Sequence, residues 1–124
     1  MADPKLNALV FCVKAVFTDP WWNLIGVFQE YYLRSESVVR FDAYIKIGDA
    51  AIGEDIQISL SITEPENGLR LGGTGIVTRA AEDGTLDAAL ALELQGLREG
   101  TYTVEVWMGA HILDAQKLRV IDLG

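Results

Sequence analysis

The chain contains few of the residues from which most catalytic and redox sites are built. Its 124 residues include one cysteine, one histidine and three prolines. The single cysteine, Cys12, allows no internal disulfide, which is typical of a protein in a reducing cytoplasm. A general base needs a nucleophile or an orienting group beside it, and no serine or cysteine neighbours the only histidine, His111. We therefore expect His111 to be a turn residue and the protein not to be an enzyme.

Positive charge is also scarce. Ten basic against eighteen acidic side chains give a net charge of −8, and the basic residues are scattered along the chain. Such a surface repels phosphate backbones and anionic lipids, so we expect neither nucleic acid nor a membrane as a partner. The apolar runs are shorter than the roughly 20 residues that cross a bilayer, and residues 1–5 do not resemble a signal peptide. The sequence thus predicts a cytoplasmic protein with a single domain over residues 1–124.

What the chain does contain is a repeated alternation of apolar and polar residues. A period of two over short segments separated by turn signals is typical of half-buried strands. In residues 86–94 the leucines and alanines favour a helix. The strict alternation would scatter the leucines around a helix, so a strand is predicted there too. The eight segments are residues 9–17, 24–33, 39–47, 56–62, 69–80, 86–94, 102–108 and 112–121. They predict an all-β fold of two sheets with seven or eight mostly antiparallel strands.

Three segments carry additional local signals. The first is apolar on both faces, which predicts a central or covered strand. Gly26 lies inside the second, where a missing Cβ often marks a bulge or a close approach of the backbone. Gly109 and Ala110 between the last two segments suit a two-residue type II′ turn, so these segments are predicted to form a hairpin.

The fifth segment follows a predicted turn at residues 64–68, which contains an Asn-Gly pair. Its glycines, Gly72, Gly73 and Gly75, weaken it as a strand, so we expect it to bend or to lie at a sheet edge. A phosphate-binding loop is excluded, because the required Lys-Ser/Thr pair and the helix after it are both missing.

The stretch from Gly96 to Tyr102 resembles the turn before a late strand in immunoglobulin-like and fibronectin-like sandwiches. In those folds a tyrosine can hydrogen-bond back across the corner. The resemblance implies a fold and no activity. The predicted fold is therefore an immunoglobulin-like sandwich, which we prefer over a closed barrel.

A second resemblance covers nearly the whole chain. Phe11-Cys12, Asp19 and the run from Asn23 to Phe28 are similar to the opening of a family of small bacterial β-sandwich domains of unknown function. Those domains have an aspartate after the cysteine, where this chain has Val13, and their turn lacks the two tryptophans found here. The resemblance implies a bacterial, cytosolic setting and transfers no site residues.

Other polar features favour ordinary structural roles. Cys12 lies in a strand that is apolar on both faces, so we expect it to pack in the core, although Lys14 would lower its pKa if both were exposed. Carboxylates gather in the predicted loops, and loops at one end of a sandwich can supply calcium ligands. No loop has the alternating aspartates of a local calcium cage, so solvated carboxylates are the favoured interpretation. They are Asp19, Asp49, Glu54, Asp55, Glu64, Glu66, Glu82, Asp83 and Asp87.

The aromatic residues are the feature that best indicates function. Trp21 and Trp22 follow a proline in a predicted turn, and adjacent residues of an extended chain point to opposite sides, so one of the two must be at the surface. Trp107 is expected on the face opposite Tyr102, and the remaining tyrosines on or near outer faces, namely Tyr31, Tyr32 and Tyr44. Exposed aromatic side chains are enriched in interfaces and in stacking platforms.

The resulting prediction is a non-enzymatic protein-interaction or accessory domain without a cofactor. Its binding residues would be Trp21, Trp22, Trp107 and Tyr44, and its partner a second copy, as in a homodimer, or another protein. The alternative is a small-ligand or glycan-binding module, with a calcium-dependent variant.

Overall fold

The computed structural model describes residues 3–64, 66 and 68–124, which form two packed β-sheets. Sheet A has the strand order β2-β1-β4-β7, and sheet B has the order β3-β9-β8-β5-β6. Every paired neighbour is antiparallel except β3 with β9. The strands are β1 (Lys5–Thr18), β2 (Trp21–Phe28), β3 (Glu30–Leu33), β4 (Val38–Gly48), β5 (Ile56–Thr63), β6 (Arg70–Thr78), β7 (Leu86–Gln95), β8 (Gly100–Met108) and β9 (His111–Asp122). The predicted all-β, two-sheet and mostly antiparallel architecture is confirmed.

There are nine strands among the described residues, because the predicted second strand is two strands. The chain bends at Gln29 and changes sheets: Phe28 pairs with Phe11 in sheet A, whereas Glu30 pairs with Arg119 in sheet B. Side chains on both sides of the bend, such as those of Phe28 and Tyr31, still pack against the same core. The apolar pattern therefore continues through the bend and could not reveal the change of partner.

The core lies between the two sheets and follows the predicted alternation. In β7 the leucines are buried while Asp87 and Glu93 are exposed, as expected for a strand. β8 likewise buries Tyr102 and the two valines that follow it at alternate positions. The strand assignment of the leucine-rich segment is thus confirmed, because a helix could not place its leucines on one side. The inward-facing residues of β4, β5 and β7 are Val39, Phe41, Ala43, Ile45, Ile47, Ile56, Ile58, Leu60, Ile62, Leu86, Ala88, Leu90, Leu92 and Leu94.

The tyrosine corner and the last hairpin are both present. The Tyr102 hydroxyl donates to the Arg98 carbonyl over 2.7 Å and accepts from the Arg98 amide over 2.9 Å. Met108 pairs with His111 around Gly109, whose positive φ of 59° suits the first turn position.

β6 is an edge strand of sheet B, which is one of the two outcomes predicted for it. Its glycines permit close approach: a Cβ at Gly72 would lie 2.8 Å from a methyl carbon of Leu94, and one at Gly73 would lie 3.0 Å from the Leu60 carbonyl oxygen. Of the predicted turn before β6, Pro65 and Asn67 lie outside the described residues. The Glu64 amide donates to the Leu69 carbonyl over 2.8 Å across that turn.

Candidate functional site

The candidate site is built on the far half of the β1–β2 hairpin, formed by residues 13–18 of β1 and 21–26 of β2. We call this two-stranded segment the ribbon. Phe17 pairs with Trp22, and Val10 pairs with Tyr44 on β4. Phe17 is seven positions after Val10, so a straight strand would place these two residues about 23 Å apart. Their strand partners, Trp22 and Tyr44, would then be far apart as well. The ring centroids of Trp22 and Tyr44 are nevertheless only 6.1 Å apart, so the ribbon folds back over the outer face of sheet A.

The bend is placed by Gly26 and by Asp42. Gly26 has a φ of +68°, and a Cβ there would lie 2.7 Å from a methyl carbon of Val13 in the neighbouring strand. The Asp42 carboxylate, on the outer face of β4, accepts a hydrogen bond from the Ala15 amide over 2.8 Å. The close backbone approach predicted at Gly26 is confirmed. Beneath this bend Cys12 is fully buried, and its thiol lies 3.7 Å from the Asp42 carbonyl oxygen.

The folded ribbon divides the two adjacent tryptophans. Trp22 is half-buried between Phe17, at 5.2 Å between ring centroids, and Tyr44. Trp21 points to the other side and is 71% exposed. The prediction that one of the pair is at the surface is confirmed. Their predicted placement in a turn is wrong: they are the first two residues of β2, because the turn consists of Asp19 and Pro20 alone.

The exposed face of β2 is more extensive than the tryptophans suggested. Trp21, Asn23 and Ile25 occupy alternate positions and are exposed, with Ile25 at 56%, and Val27 beyond the bend is 58% exposed. The sequence interpretation missed Ile25 and Val27, although their spacing from Trp21 in a segment without charged residues was a usable signal. We call Trp21, Asn23 and Ile25 the outer face of the ribbon.

The Tyr44 side chain lies beneath Trp22, between the ribbon and sheet A. Its hydroxyl donates to the Asp87 carboxylate on β7 over 2.7 Å. Burial and the neighbouring negative charge of Asp87 raise the pKa of Tyr44 to about 12. At neutral pH the phenol is therefore protonated and its hydrogen bond links β4 to β7 below Trp22.

Trp107 lies elsewhere, on the outer face of sheet B. Its indole N–H donates to the Ser61 hydroxyl over 3.3 Å, and the ring borders a shallow groove of about 390 Å³ whose floor includes Ser59, Gly73 and Gly75. Trp107 is on the face opposite Tyr102, as predicted. The structure therefore brings Trp22 and Tyr44 together but leaves Trp107 on the opposite side of the sandwich.

The prediction for Tyr31 is wrong, whereas the prediction for Cys12 is confirmed. Tyr31 does not face outward: it packs against Phe28 at 5.5 Å and Phe41 at 6.1 Å between ring centroids, because β3 belongs to sheet B and directs this residue to the core. Cys12 is buried as expected, and burial together with the nearby Asp42 charge raises the pKa of its thiol.

The loop carboxylates form local contacts rather than a cluster. Asp55 pairs with Arg79 over 2.7 Å, and Asp83 accepts hydrogen bonds from Thr85. Within the described ranges no group of three or more histidine, cysteine, aspartate or glutamate residues is arranged to hold a metal ion. The same residues include no helix long and apolar enough to cross a membrane.

The fold and the position of these residues define an immunoglobulin-like β-sandwich. An immunoglobulin-like protein from Pseudomonas aeruginosa has a similar structure, with a TM-score of 0.51 and 16% identity over 97% of this chain and 98% of that one. A β-glucuronidase of glycoside hydrolase family 2 matches with a TM-score of 0.56 and 12% identity over 67% of this chain. The Pseudomonas fluorescens alkylpurine DNA glycosylase, bound to DNA with an abasic site analogue, matches with 0.55 and 12% over 96% of this chain.

These matches establish the fold alone. The chain spans 10% of the glucuronidase and 30% of the glycosylase. No protein-family model matches it, and no curated protein matches it in sequence.

Proposed function

We propose that this chain is a non-enzymatic protein-interaction domain that binds its partner along the exposed edge of β2. The observation that carries this proposal is that β2, with the sequence WWNLIGVF, is an edge strand without a single charged residue, in a chain with 23% charged residues. A long apolar edge with unpaired backbone groups is a template for strand pairing. Soluble proteins retain such an edge where another chain covers it.

The distribution of exposed apolar side chains supports the same edge. The described residues include eleven large hydrophobic side chains that are exposed, and five of them lie on β1 and β2. The five are Val13, Phe17, Trp21, Ile25 and Val27. Trp21 and Ile25 lie on the outer face of the ribbon, with Val27 beyond the bend, whereas Val13 and Phe17 lie on the side of Trp22. Single exposed hydrophobic residues are normal, whereas a run along one side of a strand indicates a binding surface.

The other sheet edges are protected in the ordinary ways. β7 carries Asp87 and Glu93, β3 is only four residues long and begins with Glu30, and β6 begins with Arg70 and contains three glycines. Charge, shortness and weak strand propensity all discourage pairing at an edge. β2 carries no charged residue and has eight residues against the four of β3.

The setting we propose is the cytoplasm, since the one thiol is unpaired and buried. Nucleic acid is an unsuitable partner even though the glycosylase of similar fold was solved with DNA, because a net charge of −8 opposes phosphate binding. We also propose membership of the family of small bacterial β-sandwich domains. Its support is the apolar motif of β1 and β2, which here forms the hairpin with the bend at Gly26.

Site-specific photo-crosslinking tests the binding edge whichever protein the partner is. A photoreactive amino acid is placed at Trp21, and in a matched control at Val77, which is 67% exposed on edge strand β6. We expect discrete crosslinked proteins from position 21 in cells that express the protein, and none from position 77. Mass spectrometry then identifies each adduct. Equal or absent crosslinking at both positions would contradict a binding role for β2.

The groove beside Trp107 supports a second candidate function, the binding of a small ligand or glycan. The groove has an indole wall and a floor of small residues, and sugar rings stack on indole surfaces. Titration of soluble oligosaccharides against the wild type and Trp107→Phe, followed by intrinsic fluorescence and calorimetry, tests it. Saturable heat in the wild type alone is expected if the groove binds sugars, and no heat in either protein would eliminate this candidate for the sugars tried.

A further inference from the structure

We propose that the occupant of the β2 edge is a second copy of this chain, with the two β2 strands antiparallel about a two-fold axis at Asn23. This proposal rests on the proposed function, because it uses the same edge. A two-fold axis requires a surface that is complementary to itself in charge, shape and backbone pairing.

Charge restricts where two copies can meet. Each chain carries a net charge of −8, so close approach is disfavoured over most of the surface. The outer face of the ribbon carries no charge, and Lys14, the neighbour of Ile25 on β1, has the sign opposite to the net charge. A second copy can therefore reach this face without bringing like charges together.

The usable length of β2 places the axis. Pro20 precedes the strand and cannot donate a ladder hydrogen bond, and the positive φ of Gly26 interrupts regular strand geometry at the other end. The regular residues between these two limits are 21–25, and the middle one is Asn23. An antiparallel pair centred there places Asn23 opposite Asn23 and Trp21 opposite Ile25 of the second copy.

This register is favourable for the side chains that it brings together. Aromatic residues opposite β-branched residues are a stabilising cross-strand pair, and it occurs twice because of the symmetry. The Asn23 side-chain amide nitrogen donates to the Val16 carbonyl over 3.5 Å within its own chain. A carboxamide has a second N–H and a carbonyl oxygen, so two copies of Asn23 can bond to each other through these groups. In the resulting sheet, Val16 and Lys14 of β1 lie beside Asn23 and Ile25. None of the residues that this register places side by side is acidic.

The first test is the molar mass in solution, measured by light scattering on a sizing column over a concentration series. We expect the wild type to approach twice the mass of one chain. Ile25→Lys removes the pair with Trp21 of the second copy at both symmetric positions and places a charged side chain on the edge strand. It is expected to give a monomer at the same concentrations. Val77→Lys, on edge strand β6, is the matched control and should remain dimeric. Circular dichroism checks that both variants are folded.

The second test detects the register itself. Antiparallel neighbours have Cα atoms about 4.5–5.5 Å apart, which lies within the disulfide range of about 4.4–6.8 Å. Asn23→Cys is therefore expected to form an intermolecular disulfide rapidly under mild oxidation, whereas Val77→Cys should not. Native Cys12 is buried and does not compete.

The possible results separate this proposal from the proposed function. A monomeric wild type, with Asn23→Cys crosslinking no faster than Val77→Cys, would overturn the second copy as occupant. If photo-crosslinking at Trp21 then captured a different protein, the binding role of β2 would stand. A dimer that survives Ile25→Lys and fails to crosslink through Asn23→Cys would likewise overturn the proposal, because its interface would lie elsewhere.

Discussion

Gly26→Ala tests the bend of the ribbon over sheet A. Gly26 has a left-handed backbone, with φ at +68°, and an added Cβ would lie 2.7 Å from the Cγ2 and 3.1 Å from the Cβ of Val13. The second distance matters because a β-carbon cannot move away by a change of rotamer. Both the conformation and the close approach therefore oppose any side chain at this position.

The expected cost separates into two physical terms. A left-handed backbone costs a residue with a Cβ about 1–2 kcal/mol, and the overpacking against Val13 adds about 1–3 kcal/mol. Gly96→Ala is the matched control, because Gly96 has a φ of +69° but no atom within 4 Å of the added Cβ. It should show the first term only.

Urea unfolding of the two variants, at a protein concentration low enough to give monomers, measures the difference directly. We expect Gly26→Ala to lose more unfolding free energy than Gly96→Ala, and Val13→Ala combined with Gly26→Ala to recover part of that loss. If Gly26→Ala proved no more destabilising than Gly96→Ala, the close approach to Val13 would not be what requires glycine at the bend.

Three further outcomes follow from individual contacts. Tyr102→Phe removes both hydrogen bonds of the corner hydroxyl and should reduce the unfolding free energy by about 1–3 kcal/mol, whereas Tyr32→Phe, at an exposed position, should change it by less than about 0.5 kcal/mol. The raised pKa of Tyr44, about 12 against an ordinary 10, means that its contribution to stability is complete below pH 10 and is lost as pH rises from 10 to 12. Asp87→Asn should bring the tyrosinate absorbance transition to lower pH. Buried Cys12, with its raised thiol pKa, should react with thiol reagents only as fast as the protein opens, and a rapid reaction of the native protein would contradict its burial.

The local patterns of the chain predicted much of the fold. The strict alternation in β7 identified a strand despite its helix-forming residues, and Gly109 identified the final turn. Tyr102 indicated the corner because the stretch from Gly96 to Tyr102 resembles the turn before a late strand in other sandwiches. In each case the residues that carry the signal also make the contact, or lie within a few positions of it.

The candidate site was only partly predictable for the opposite reason. That Trp21 and Trp22 could not share one core followed from the geometry of an extended chain. Which of them is exposed depends on Tyr44, 22 residues further along, and on a bend at Gly26 that folds the ribbon over sheet A. No local pattern records such a contact.

The sequence by itself determined the strands with strict alternation, the residues of β4, β5, β7 and β8 that face the core, and the turn at Gly109, because alternation and turn propensity are properties of neighbouring residues. The tertiary structure alone decided that the chain changes sheets at Gln29, that Trp22 packs on Tyr44, and that Trp107 lies on the far side of the sandwich. It also left the uncharged strand β2 at an edge. Strand partners are chosen by contacts between residues distant in the chain, and apolar alternation is the same whichever partner is chosen.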